Sequence, residues 1–100
     1  MPTELSDRLE ATDAALATRL ACGDATALTP LYQRHRGPVY RFALLWSGSA
    51  AVAADVTQDV FVRFIVHSRR QAPTYPSSLL YRIATNLCLN RIRDRRRQPA

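Results

Sequence analysis

A chain of 100 residues, 47% apolar and 22% charged, has room for one domain and a modest core. Its apolar runs are far too short for a membrane span, and its start, MPTELSDRLE, lacks the basic flank and apolar stretch of a secretory signal. Cytoplasmic residence without membrane insertion is therefore expected. The net charge of +6 is lopsided: residues 1–60 carry five Arg against seven acids, whereas residues 61–100 carry nine Arg against Asp94 alone. All the basic residues are Arg. A positive field concentrated in one part of a small domain suits a polyanion.

Residues 1–12 read as a flexible lead-in. Asp13 can cap a first helix running to about Cys22, with Leu16, Ala17 and Leu20 on its apolar side, before Gly23-Asp24 stops it. From Ala25, helical spacing of Leu28, Leu31 and Tyr32, then Val39, Phe42, Ala43 and Trp46, predicts a second helical stretch with a break at Gly37-Pro38. Thr29 as cap and Pro30 as first helical residue accommodate the other proline. Ser47-Gly48-Ser49 is a turn. A third helix spans roughly Ala50 to Val66, burying Val52, Val56, Val60 and Phe64. His67 to Ser78, with Pro73 and Pro76, reads as a loop. The last helix starts near Ser77 or Ser78, either of which can cap it, and runs to Arg97. No strand-like alternation occurs. The fold class is all-α, a compact bundle of about four helices, with 13–97 as the domain.

Two surfaces carry candidate chemistry. On the third helix, Asp55, Gln58, Asp59 and Val62 lie opposite the buried stripe. Two acids four residues apart gain nothing from each other, so this is either a solvated face, with Arg63 partly neutralising Asp59, or a docking surface for a basic partner. A hydrolytic carboxylate pair has no supporting His, metal ligand or further acid nearby. On the last helix, at about 100° per residue, Leu80, Ile83, Ala84 and Leu87 share an inward side while Arg82, Asn86, Asn90, Arg93 and Arg97 form a second stripe. Arginines attract phosphates and asparagines can pair with base edges. Arg96 and its neighbours can also be a solvated helix end complementing the dipole. Arg69 and Arg70 beside Tyr75 form either a plain surface loop or a grip on a single strand, where bases stack on the ring. His35 and His67 lack ligand-like neighbours, and Cys22 and Cys88 read as free thiols. There is no phosphate-binding glycine loop, triad pattern or zinc spacing, so neither an enzyme nor a cofactor or metal site is expected.

Three blocks in order, GDATALTPLYQRHRGPVYRFAL, AADVTQDVFVRF and LLYRIATNLCLNRIRDRRR, closely resemble region 2 of bacterial sigma-70-type factors, nearest the extracytoplasmic-function (ECF) group. The resemblance covers roughly Asp13 to Arg97. It implies that the helix bearing Asp55, Gln58, Asp59, Val62 and Arg63 docks on the β′ clamp helices of RNA polymerase core. It implies that the His67–Ser78 loop, with Arg69, Arg70 and Tyr75, holds a flipped base of the promoter −10 element's non-template strand. The last helix would read and help melt that element, Arg82 and Asn86 nearest the bases, Asn90, Arg93, Arg96 and Arg97 beyond. An anti-sigma factor is a further implied partner. Leu79 and Ile65 stand where the family often has Trp. The chain ends at Ala100 without the helix-turn-helix region 4 that such factors carry. Two rival readings are a decoy that binds an anti-sigma factor and a sequence-blind helical protein that grips nucleic acid with its Arg-rich end.

Overall fold

In a computed structural model, which describes residues 11–97, four helices enclose one core: α1 (Asp13–Ala21), α2 (Leu28–Ser47), α3 (Ala50–Arg70) and α4 (Pro76–Arg97). A short 3-10 turn, Ala25–Ala27, leads into α2. Helices α2, α3 and α4 pack on one another pairwise, and α1 lies mainly against α3 and α2. The all-α bundle expected from the periodicity is the observed fold. The lead-in falls on residues outside the described range except for Ala11, which packs against the core, and Thr12.

Each helix is held by the stripe that its sequence supplies. Leu16, Ala17 and Leu20 of α1, Leu31, Val39 and Ala43 of α2, and Leu79, Leu80, Ala84 and Cys88 of α4 are buried. They meet the inward face of α3, where Ala53, Val56, Thr57, Val60, Phe61, Phe64 and Ser68 recur every three or four residues. Phe64 is the largest fully buried side chain. Aromatic edges lock the helices further: Tyr32 meets Phe61 with centroids 4.9 Å apart, and Phe42 meets Tyr81 at 5.9 Å. Burial among apolar neighbours pushes the Cys88 thiol pKa up.

Five local expectations need correction. Thr12, not Asp13, caps α1, its hydroxyl accepting the Ala15 amide at 3.0 Å. Asp13 is thereby free to reach α2, where its carboxylate accepts from Arg34 at 3.0 Å and lies 2.7 Å from His35 Nε2. His35 is thus a fastening between helices.

The break foreseen at Gly37-Pro38 does not occur: α2 continues through Pro38. Proline crowds the Cβ of the residue before it in a helix, and Gly37 has none. Leu31 on one side and Val39 and Ala43 on the other are fully buried, so packing offsets the lost hydrogen bond. At the start of α2 no side chain caps the helix, which grows out of the 3-10 turn. Pro30 is its third residue, where amides have no intrahelical partner to lose.

Helix α3 runs four residues past Val66, so Arg69 and Arg70 lie on its last turn and the loop shrinks to residues 71–75. No breaker stands between His67 and Arg70, and Ser68 extends the buried stripe. Finally, α4 begins at Pro76, ahead of both serines. Proline is preset for the first helical position, and the Leu79 amide donates to the Tyr75 carbonyl at 3.1 Å. The tight link between α2 and α3 matches the expected turn: Gly48 takes a left-handed φ of 67° and Ser49 caps α3 through the Val52 amide.

Candidate nucleic-acid interface and docking face

The outward side of α4 is cationic from end to end. Arg82, Asn86, Asn90, Arg93 and Arg96 are exposed, and among the described residues none of these arginines lies within salt-bridge distance of a carboxylate. The two asparagines are not equivalent. Asn90 accepts from Arg93 at 2.5 Å, so its carbonyl oxygen is already engaged. Asn86 has no such partner among the described residues and presents a whole amide. The core-facing line of α4 also changes character along its length: Leu80, Ala84 and Cys88 are buried, but Arg91 and Arg95, which follow on that line, are exposed. The helix therefore runs past the apolar core and carries its charge into solvent.

At the other end of α4 the loop closes over a cleft of about 370 Å³. It is lined by His67 and Gln71 from the end of α3, the loop residues Ala72, Pro73, Thr74 and Tyr75, and Ser78, Leu79 and Arg82 from α4. Tyr75 is 74% exposed, its ring unpacked at the mouth. Leu79 is 6% exposed and belongs to the wall, not to a projecting wedge. The cleft offers a ring, an amide, an imidazole and a guanidinium around a space that a planar heterocycle can enter.

A different face appears on α3. Asp55, Gln58, Asp59, Val62 and Arg63 are all exposed. Asp55, Asp59, Val62 and Val66 stand at three- and four-residue spacing and form one stripe, acidic toward the start of the helix and apolar toward its end. Val62 is 53% exposed and Val66 50%. Arg63 forms no ion pair with Asp59, the neutralisation that the solvated-face alternative invoked. Both carboxylates are without an intramolecular partner among the described residues. By contrast, Asp24 is fully engaged: the Thr26 hydroxyl and Arg19 hold its pKa below the usual value.

A family model described as Sigma-70 region 2 matches residues 31–98. The chain belongs to the sigma-70 region 2 family. Among curated proteins it is 35% identical over 97 residues to a protein named ECF RNA polymerase sigma factor SigE from Mycolicibacterium smegmatis, covering 92% of this chain and 38% of that one. It is 33% identical over 97 residues to an ECF RNA polymerase sigma factor SigM from Mycobacterium tuberculosis, covering 92% and 47%. The chain thus spans less than half the length of these relatives. No solved structure matches it significantly.

Within this region 2 domain the structure brings Tyr75 and Arg82 to one cleft. Arg69 and Arg70, expected on the loop beside Tyr75, instead sit on the last turn of α3 and do not line it. Arg97 closes α4. His67, Gln71 and Ser78 fall within the 67–78 loop that the resemblance assigns to a flipped base, but the sequence singles out none of them, nor Val66 as part of the docking stripe. The i, i+4 spacing of Val62 and Val66 was the available signal for the latter. The closing of the loop over residues separated by eleven positions has no local signal at all. Among the described residues no group of His, Cys, Asp and Glu could hold a metal ion, and no helix is long and apolar enough to cross a membrane.

Proposed function

We propose that this domain is the core-polymerase-binding and −10-recognition part of an ECF-type sigma factor. The observation that carries the reading is the coexistence of two exposed faces of opposite chemistry on different helices. The stripe Asp55–Asp59–Val62–Val66 on α3 suits the β′ clamp helices of RNA polymerase: charges set orientation and encounter rate, and valines supply area that water leaves. The cleft and the outer side of α4 suit the non-template strand. A base turned out of its stack costs a few kcal/mol. Stacking on Tyr75 and hydrogen bonds from Gln71, His67 or Arg82 in the cleft offset that cost. The arginines along α4 track the phosphates, which position the strand but carry no sequence information. Asn86, its amide unengaged, is the base reader of the stripe, ahead of Asn90.

This division of labour predicts two different mutant phenotypes. Asn86→Ala relaxes base preference at one position by about 1–3 kcal/mol, whereas Arg96→Ala weakens binding to all sequences alike. Fluorescence anisotropy against a panel of single-stranded oligonucleotides with each position varied makes the comparison. Equal, sequence-blind losses for both variants would instead mark an Arg-rich helix that grips any nucleic acid.

A further inference from the structure

One apolar side chain on α4 is out of place. Leu89 is 40% exposed, whereas Leu79 and Leu80 of the same helix are buried and Ile83 and Leu87 are partly so. A lone exposed leucine is ordinary on a neutral surface. Its setting here is not neutral. Residues three and four apart are surface neighbours on a helix, which places Thr85 and Asn86 on one side of Leu89 and Ile92 and Arg93 on the other. Arg82 and Arg96 stand two turns away. No carboxylate is among these positions, so the chemistry around Leu89 is that of a polyanion's contact face.

The polar groups nearby narrow the match. The Thr85 hydroxyl donates its one hydrogen to the Tyr81 carbonyl at 2.8 Å and has no donor left for a base. Asn90 and Arg93 are joined to each other. That bond takes the Asn90 carbonyl and ties Arg93 down, whereas the Asn86 amide, one turn before Leu89, has no hydrogen-bond partner among the described residues. An N–H donor and an apolar side chain one helical turn apart complement a single kind of base edge. Thymine places its O4 acceptor next to a C5-methyl group, and no other DNA base carries that methyl. Leucine is branched and not planar, so it is a poor stacking platform but a good surface for a methyl group.

We propose that Leu89 is a specificity-determining residue that receives the C5-methyl of a thymine, with Asn86 donating to the same base. The proposal rests on the reading of the α4 face as a single-strand interface. The test uses the full chain and two labelled probes of about twelve nucleotides, a length typical of single-strand binding sites: oligothymidylate and its deoxyuridine counterpart, which lacks only the methyl groups. Fluorescence anisotropy of the wild type shows a thymidine preference of about threefold to fourfold, the effect of removing one methyl from water. Leu89→Ala brings the ratio to one while leaving deoxyuridine affinity within about twofold, and Leu89→Met restores the preference. Circular dichroism shows the same helix content in all three proteins. A thymidine preference that persists in Leu89→Ala overturns the proposal, as does an equal loss on both probes, the mark of an indifferent wedge. If the wild type binds neither probe, the single-strand reading of α4 fails and this inference with it.

Discussion

Replacing Asp55 and Asp59 together by arginine is expected to abolish association with the β′ clamp helices while the domain stays folded. Both carboxylates are exposed and have no partner among the described residues, so their loss breaks no contact there. Surface changes of this kind usually move stability by no more than about 0.5 kcal/mol. At a docking face the same change is severe. Each substitution removes an attraction and installs a like charge facing a basic partner, and such juxtapositions cost several kcal/mol. About 2.8 kcal/mol already corresponds to a hundredfold loss of affinity. Pull-down of a β′ clamp fragment, with thermal melting and circular dichroism as controls, checks both halves. Retained capture by the folded variant contradicts the assignment of the α3 stripe.

The second large effect is electrostatic and belongs to α4. Binding to a single strand releases counterions, and the slope of log affinity on log salt is about −0.7 per phosphate neutralised. If about four arginines engage phosphates, raising salt from about 50 to 200 mM weakens binding roughly 50-fold. Removing Arg93 and Arg96 together makes the slope shallower by about 1.4. Among the described residues Arg82, Arg93 and Arg96 are exposed and lie outside salt-bridge distance of any carboxylate, so no salt bridge there must break first. Titrations of a labelled strand at four or five salt concentrations measure the slope. A flat response contradicts phosphate contacts by these arginines.

The parts of this molecule that were legible in the sequence are those governed by period. The inward stripes of α3 and α4 are repeats of three and four, and the structure buries Val56, Val60, Phe64, Leu80 and Ala84 accordingly. The outward residues Asp55, Asp59, Arg82 and Asn86 follow from the same geometry and are exposed. Punctuation was less reliable. Pro38 would end an isolated helix, but Gly37 before it removes the steric conflict and the core on both sides carries the chain through. Ser68 is polar, which makes the end of α3 look like loop, yet it is fully buried and its hydroxyl has no hydrogen-bond partner among the described residues. A polar residue in a buried stripe conceals the stripe, and so Arg69 and Arg70 were placed one structural element too late. The resemblance pointed to the 67–78 loop, but the walls of the cleft were not legible, because His67, Gln71 and Arg82 are brought together only when the 71–75 loop folds back between two packed helices. The engagement of Asn90 by Arg93, which singles out Asn86, likewise depends on rotamers and not on residue type.

On the proposed reading one small body uses two faces independently: carboxylates and valines on α3 for a protein, guanidiniums, an amide and a loop cleft for an unpaired strand. The most direct measurement adds the β′ clamp fragment to the domain already saturated with a labelled −10 non-template strand and follows anisotropy. The predicted result is a further rise as a three-component complex forms, with the strand retained. A fall to the value of the free strand, showing that fragment and strand compete for one surface, contradicts it.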